Sequence, residues 1–401
     1  MRWIAFVFAL VSWLCLSSLP VHAGDQIELV ETVPVETMLD DPQFRSAHVV
    51  WAEMIDGARS TLDLAQFYVS PKEEGEGRLE PILDAIGRAA ARGVRVRLLA
   101  DAKFARRYPE PLRELGAIDG VDVRKFDVGA VTGGVLHAKY FIVDRRDLYL
   151  GSQNFDWRSL EHIQELGVRA RSESLGEDIA KIFDADWRRA GGEKIEAVPK
   201  HVGRDIPVAL GEREVFAQVV ATPNQLLPEG VGSELEVMTR ALRGAKRRVR
   251  LQLLSYSVKG YDGESWTHID TLLRDAAKRG VRVEILLADW SKKSPKVEAV
   301  QSLAEVENIT IKFVTIPPWS GGHIPYARVV HAKYMVVDHA WAWVGSSNFS
   351  GDYFKKSRNV GLLMRGEAIV SSLSQWFERL WVSPYGERVD PQADYLPPTV
   401  R

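Results

Sequence analysis

The sequence predicts an α/β protein made of two tandem homologous halves, each an α/β/α sandwich, and three observations lead there. HAKYFIVD at residues 137–144 returns as HAKYMVVD at 331–338, each followed at one distance by a Gly-Ser-x-Asn turn. His137, Lys139, Asp144, Gly151, Ser152 and Asn154 thus recur as His331, Lys333, Asp338, Gly345, Ser346 and Asn348, at the constant offset 331 − 137 = 194. Upstream, STLDLAQFYVS (60–70) resembles RVRLQLLSYSV (248–258), and LEPILDAIGRAAARGVRVRLLAD (79–101) resembles HIDTLLRDAAKRGVRVEILLAD (268–289).

Taken in order, residues 1–23 read as an export signal: Arg2 is a minimal basic region, residues 3–19 are almost wholly apolar, and Val21-His22-Ala23 places small residues before Gly24. The chain is then periplasmic or secreted, the alternative being an uncleaved membrane anchor. Cys15 is the only cysteine, so a cleaved chain has neither a disulfide nor a thiol nucleophile. The 60–70 run and its partner are β-rich and apolar, each ending near a tyrosine, Tyr68 or Tyr256. A helix follows in each half, with Ile82, Ile86 and Ala89 or Leu272, Leu273 and Ala276 at three and four spacing, stopped by Gly93 or Gly280. VRVRLLA and VRVEILLA then begin with alternation and finish apolar, as in a mostly parallel sheet entering its core. Residues 197–214 hold two prolines and two glycines without a sustained period, which places the halves at 24–200 and 201–401.

Composition fits two ordinary folded domains: 401 residues, 46% hydrophobic and 26% charged. A net charge of −2 excludes a strongly basic chain that wraps long nucleic acid, so any anion is met locally.

The repeated cassettes supply that local site. Read as strands, they send His137 with Lys139, and His331 with Lys333, to one face. The glycines let backbone approach closely, while Ser152, Asn154, Ser346 and Asn348 offer polar groups to phosphate oxygens. One imidazole attacks phosphorus and the other protonates the departing alcohol, then activates water. Lysines two residues from each histidine attract phosphate and repel a metal ion, so neither metal nor cofactor is expected.

These residues resemble the phospholipase D superfamily, whose signature His-x-Lys-x4-Asp-x6-Gly-Ser-x-Asn both copies match. The resemblance implies two halves packed about a pseudo-twofold axis around one active site, with Asp144 and Asp338 as structural supports. GVLHAKYFIVD, LYLGSQNFDWRSL, QELGV, IPYARVVHAKYM, GSSNFSGDYF and WVSPYG are similar to a narrower branch, the animal lysosomal phospholipase-D-like exonucleases and their poxvirus relatives. Family members often carry an acidic residue that orients the catalytic histidine. Glu165 stands 165 − 137 = 28 residues after His137, and its counterpart, 331 + 28 = 359, is Asn359. On that reading Glu165 orients His137 as nucleophile, with His331 the acid/base. The alternative is an exposed strand charge.

The implied function is metal-independent phosphodiester hydrolysis through phosphohistidine, on single-stranded nucleic acid 5′ ends or phospholipid head groups, with transient membrane-surface contact and no obligate protein partner. A phosphatidyl transferase and a non-catalytic membrane-binding protein are the alternatives. Trp319 is either a mobile lid or a packed anchor. Trp376, Phe377, Leu380 and Trp381 read as core, Lys246-Arg247-Arg248 as a solvated helix end, and His162, His201, His268, His323 and His339 as outside the chemistry.

Overall fold

The computed structural model describes residues 24–196, 198 and 203–400, so the export segment, Cys15, His201 and part of the junction lie outside the described residues. In the first half the strands run in the order Val121–Phe126, Arg95–Asp101, Thr61–Gln66, Tyr140–Val143, Asp147–Gly151, Glu165–Arg171 and Gln26–Thr32. The second half repeats it with Ile309–Val314, Arg282–Ala288, Arg248–Leu253, Tyr334–Val337, Trp341–Gly345, Asn359–Arg365 and Arg213–Thr222.

Only the first three strands of each set are parallel, so the sheet is mixed rather than mostly parallel. Connection length explains the difference. Asp144, Arg145 and Arg146 alone join Tyr140–Val143 to Asp147–Gly151, with Asp144 and Arg145 in the left-handed region. Three residues make a hairpin, whereas a parallel crossover needs a dozen or more. Where the strands are parallel, helices Glu80–Ala91 and His268–Lys278 make the first crossover of each half, burying the apolar stripes that their spacing predicts, and Pro109–Gly116 and Lys296–Ala304 lie in the second. Gly93 and Gly280 follow them at φ 88° and 85°, a conformation that favours glycine.

Alternate strand residues feed three cores, one shared and an outer one in each half, that of the second half taking Val249, Leu251, Val283 and Ile285. Leu62, Leu64, Val96 and Leu98 face the outer helices Ala47–Asp56 and Glu80–Ala91. Ala65, Leu99, Ile142 and Leu150 enter the shared core, which also takes Val219, Tyr334, Val336 and Leu362 from the other half. Helices Glu173–Ala190 and Glu367–Trp381 line that shared core, with Trp376, Phe377 and Leu380 buried and Trp381 packed against it. The halves are therefore fused by apolar burial.

An ion pair also crosses the join. Arg358 and Asp186 are both completely buried, 2.7 Å apart, and Arg358 donates further to the carbonyls of Thr222 and Leu226. Removing either partner strands a buried charge, at a cost of about 3–5 kcal/mol. Among the described residues no helix is long and apolar enough to cross a membrane.

Candidate active site

Each motif histidine is positioned by the opposite half. Ahead of Tyr140 the chain leaves its own sheet: Leu136 bridges to Arg358, and the His137 amide donates to the Arg358 carbonyl at 2.9 Å. Symmetrically, Gln164 bridges to Val330, and the His331 amide donates to the Gln164 carbonyl at 2.8 Å. His137 to Lys139 and His331 to Lys333 are thus not the strands that alternation predicts. The strands begin only at Tyr140 and Tyr334 because the backbone at Leu136 and His137, and at Val330 and His331, bonds across the interface, while Lys139 and Lys333 each give their own sheet a single bond, from the Gly151 and Gly345 amides to their carbonyls. The two ammonium groups still serve their histidines, Lys139 and Lys333 Nζ donating to the carbonyls of His137 and His331 at 2.5 and 2.6 Å.

The same exchange corrects the role read for Glu165. Its carboxylate accepts from Nδ1 of His331, at 2.8 Å, and not from His137. Glu165 follows Gln164, whose carbonyl holds His331, so it is delivered to the other half's histidine. It is fully buried, and Ser159 Oγ donates to its second oxygen, which rules out the exposed strand charge. His137 instead meets Asn359, Nδ1 to Oδ1, at 3.0 Å. Asn359 Nδ2 donates to Thr222 Oγ1, Tyr353 O and Ser357 O, which fixes the amide's orientation. Its Oδ1 can only accept, so His137 carries its proton on Nδ1 and presents a lone pair at Nε2.

Burial sets the charges. The His137 imidazole lies well below its ordinary pKa because it is desolvated and then because Lys139 and Lys333 repel its cation. His331 is also lowered by burial, but the Glu165 carboxylate opposes the shift. Lys139 falls well below the usual lysine range, and Lys333 is pushed down to about 7, both chiefly by desolvation. A buried anion would restore these cations.

The other motif residues divide. Asp144 accepts from the amides of Arg59, Ser60 and Thr61, and Asp338 from those of Lys246, Arg247 and Arg248, pinning the turn that enters each first central strand. The basic run is thus a turn whose amides are capped, following a helix that ends at Gly244. The phosphate-binding role read for Ser152 and Ser346 is not supported. Ser152 Oγ bonds both backbone groups of Leu166, and Ser346 Oγ bonds Val360 and Asn359, so each hydroxyl clasps the neighbouring strand. Asn154 and Asn348 do line the cavity, and among the described residues Asn154 Oδ1 and Asn348 Nδ2 have no hydrogen-bond partner.

That cavity holds about 760 Å³ and contains both histidines. Phe67 and Tyr353 flank His137 edge-on, their ring centres 4.9 and 5.0 Å away. Tyr68 borders it, its hydroxyl on Asp156, which also pairs with Arg158. Tyr256 does not. The strand register offsets the halves here by 248 − 61 = 187, and parallel bridges match Val69 with Phe155 and Tyr256 with Phe349. Tyr256 therefore answers to Val69 and Tyr68 to Ser255, a one-residue slip that sends Tyr256 into the core, bonded to Asp270. Trp319 packs on His162 at 5.0 Å and against the shared core, as an anchor does. Sequence reasoning missed Phe67, Phe104, Tyr108 and Tyr353. A signal existed for the first, since it closes a parallel strand at the carboxyl end, where open α/β sheets bind ligands.

Among the described residues no three His, Cys, Asp or Glu side chains converge as metal ligands do. Comparison with known proteins places these features in context. Residues 51–187 and 238–381 match the family described as cardiolipin synthase, PLD-like domain. The chain is 32% identical to the human 5′-3′ exonuclease PLD3 over 94% of its own length and 83% of that protein. It is 29% identical to phospholipase D Z of Dictyostelium discoideum, over 90% of each. Haemophilus influenzae phosphatidylserine synthase shares the fold at a TM-score of 0.61, with 13% identity and 85% of each chain covered.

Proposed function

Because the chain belongs to the phospholipase-D-like family, we propose that it is a phosphodiesterase working through a phosphohistidine on His137, with single-stranded nucleic acid 5′ ends as its substrate. The observation that carries the mechanism is the unequal pairing of the two imidazoles, Asn359 on one and Glu165 on the other. A neutral amide holds His137 in the tautomer whose Nε2 lone pair faces the cavity, the state a nucleophile needs. A buried carboxylate stabilises the imidazolium of His331, the state a general acid needs. This proposal keeps the roles read from sequence for the two histidines but rests them on the opposite pairing.

In the first step His137 Nε2 forms the N–P bond, the ester P–O bond breaks, and His331 gives its proton to the departing oxygen. In the second, His331 takes a proton from water, the oxygen attacks phosphorus, and the N–P bond breaks to return neutral His137. Throughout, Nδ1 of His137 keeps its proton on Asn359, so the phosphorylated ring remains cationic and a good leaving group. Lys139, Lys333 and the carboxamides of Asn154 and Asn348 balance the charge that accumulates on the equatorial oxygens.

Nucleic acid is favoured over lipid by the relatives named as 5′-3′ exonucleases and by the cavity lining, where Phe67, Tyr68, Phe104 and Tyr108 alternate with Lys103 and Arg107. Rings and cations interleaved suit bases and phosphates. The test is turnover, with chelator present, of phosphatidylcholine vesicles beside single-stranded DNA carrying 5′-hydroxyl or 5′-phosphate ends. Nucleotide release without choline is expected; choline without nucleotide would overturn the substrate. His137→Ala and His331→Ala should each abolish turnover, and activity surviving in either would contradict one shared site.

A further inference from the structure

We propose that Phe104, Tyr68 and Tyr108, with the Arg107 guanidinium, form a stacking subsite for the base of a nucleotide bonded to the scissile phosphate; this rests on the nuclease reading above. The rings make a continuous path outward from the nucleophile. Phe67 lies 4.9 Å from His137, and Phe104 3.9 Å from Phe67. Tyr68 is nearly parallel to both Phe104 and Tyr108, with interplanar angles of 20° and 26° and centroids 5.9 and 5.3 Å away. Arg107 then sits 5.7 Å from the ring centres of both Tyr108 and Tyr326, the latter contributed by the other half. All of these residues line the cavity.

Several features fit a base better than an acyl chain. The Tyr68 hydroxyl is tied to Asp156, which fixes the ring plane before anything binds. Near-parallel rings offer a flat face of base dimensions, and Arg107 at its end offers a second planar cation to stack or to meet a phosphate. A hydrocarbon tail would gain nothing from the exposed charges of Lys103 and Arg107 beside those rings.

The wall is also unlike its counterpart in the second half. The strand register that matches Tyr68 to Ser255 matches Phe67 to Leu254, so the equivalent wall of the second half begins with no aromatic ring. Two near-symmetric catalytic halves could accept a phosphodiester in either direction. Trp290 and Tyr261 line the second half's side of the cavity, but the continuous run of rings from Phe67 to Tyr108 has no counterpart there, and that asymmetry removes the ambiguity and sets which end of the strand enters.

The test compares kcat/KM on a short single-stranded oligonucleotide with kcat/KM on bis-p-nitrophenyl phosphate, for the full chain and for Tyr108→Ala and Tyr108→Phe. Loss of one base–ring stack corresponds to about five- to hundredfold. The oligonucleotide-to-aryl-diester ratio should therefore fall at least about fivefold in Tyr108→Ala and return in Tyr108→Phe, which keeps the ring. Oligonucleotides abasic at the terminal or the penultimate position should show which base is held, one of them losing a similar factor in the parent chain and none in Tyr108→Ala. A ratio within about twofold of the parent in Tyr108→Ala, or indifference to both abasic positions, overturns the subsite while leaving the nuclease reading intact. A parent chain that hydrolyses the aryl diester and vesicles but no DNA overturns both.

Discussion

Replacing Glu165 with Gln isolates the charge of the group that pairs with His331. Glutamine keeps the length, and its amide oxygen can still accept from Nδ1 across the 2.8 Å contact, so the ring stays in place and only the negative charge goes. Both partners are buried, which leaves little solvent to screen the loss. An opposite charge in direct contact shifts a histidine by about 1–3 pK units, each worth about 1.4 kcal/mol. Two units correspond to about 2.7 kcal/mol, or roughly a hundredfold in the step that needs the His331 proton. The assay is kcat against pH on an oligonucleotide, whose alkoxide must be protonated, and on bis-p-nitrophenyl phosphate, whose phenolate departs without a proton. Glu165→Gln should lower the first by roughly a hundredfold and the second far less, and should move the alkaline limb to lower pH. An equal loss on both substrates, or a shift of the acid limb alone, would show that the carboxylate serves the nucleophile and refute the cross-pairing argument.

The remaining expectations concern protons and scaffold. His137 must be neutral and His331 protonated, and both folded-state values lie below the ordinary histidine range, so kcat/KM should be bell-shaped with both limbs below about pH 6.5; an optimum above neutrality contradicts this. For the same reason the unfolded chain takes up these protons first as pH falls, so the contribution of neutral His137 and His331 to stability is present above about pH 6.5 and lost below it, measurable as a falling Tm. Lys333 at about 7 regains its proton when an anion enters the cavity. Calorimetric titration with inorganic phosphate at about pH 8, in buffers of different ionisation enthalpy, should therefore show net proton uptake, and none would exclude a neutral resting lysine. Asp338→Ala removes the acceptor for three backbone amides and should cost about 2–4 kcal/mol in denaturant unfolding, with no direct change to the pH limbs.

Most of the frame was legible because duplication writes itself into sequence. The offset of 194 located both cassettes, and helical spacing with Gly93 and Gly280 located the first crossover of each half. Periodicity could not show the partner of each strand. Whether Glu165 reaches the histidine of its own half or of the other depends on the contact between Gln164 and Val330, which no local pattern encodes. Tyr68 and Tyr256 look equivalent in words, yet one residue of register separates a cavity wall from a core packing position. The serines misled for a related reason: a hydroxyl beside glycine suits phosphate chemically, but Ser152 and Ser346 are engaged by the backbone of the next strand.

The central claim, one nucleophile chosen by unequal partners, is tested most directly by trapping the intermediate. A substrate labelled with radioactive phosphorus at the scissile position, quenched in base during turnover and digested for peptide mapping, should place an alkali-stable, acid-labile phosphate on His137. Label on His331, or turnover with no labelled histidine, would contradict the account.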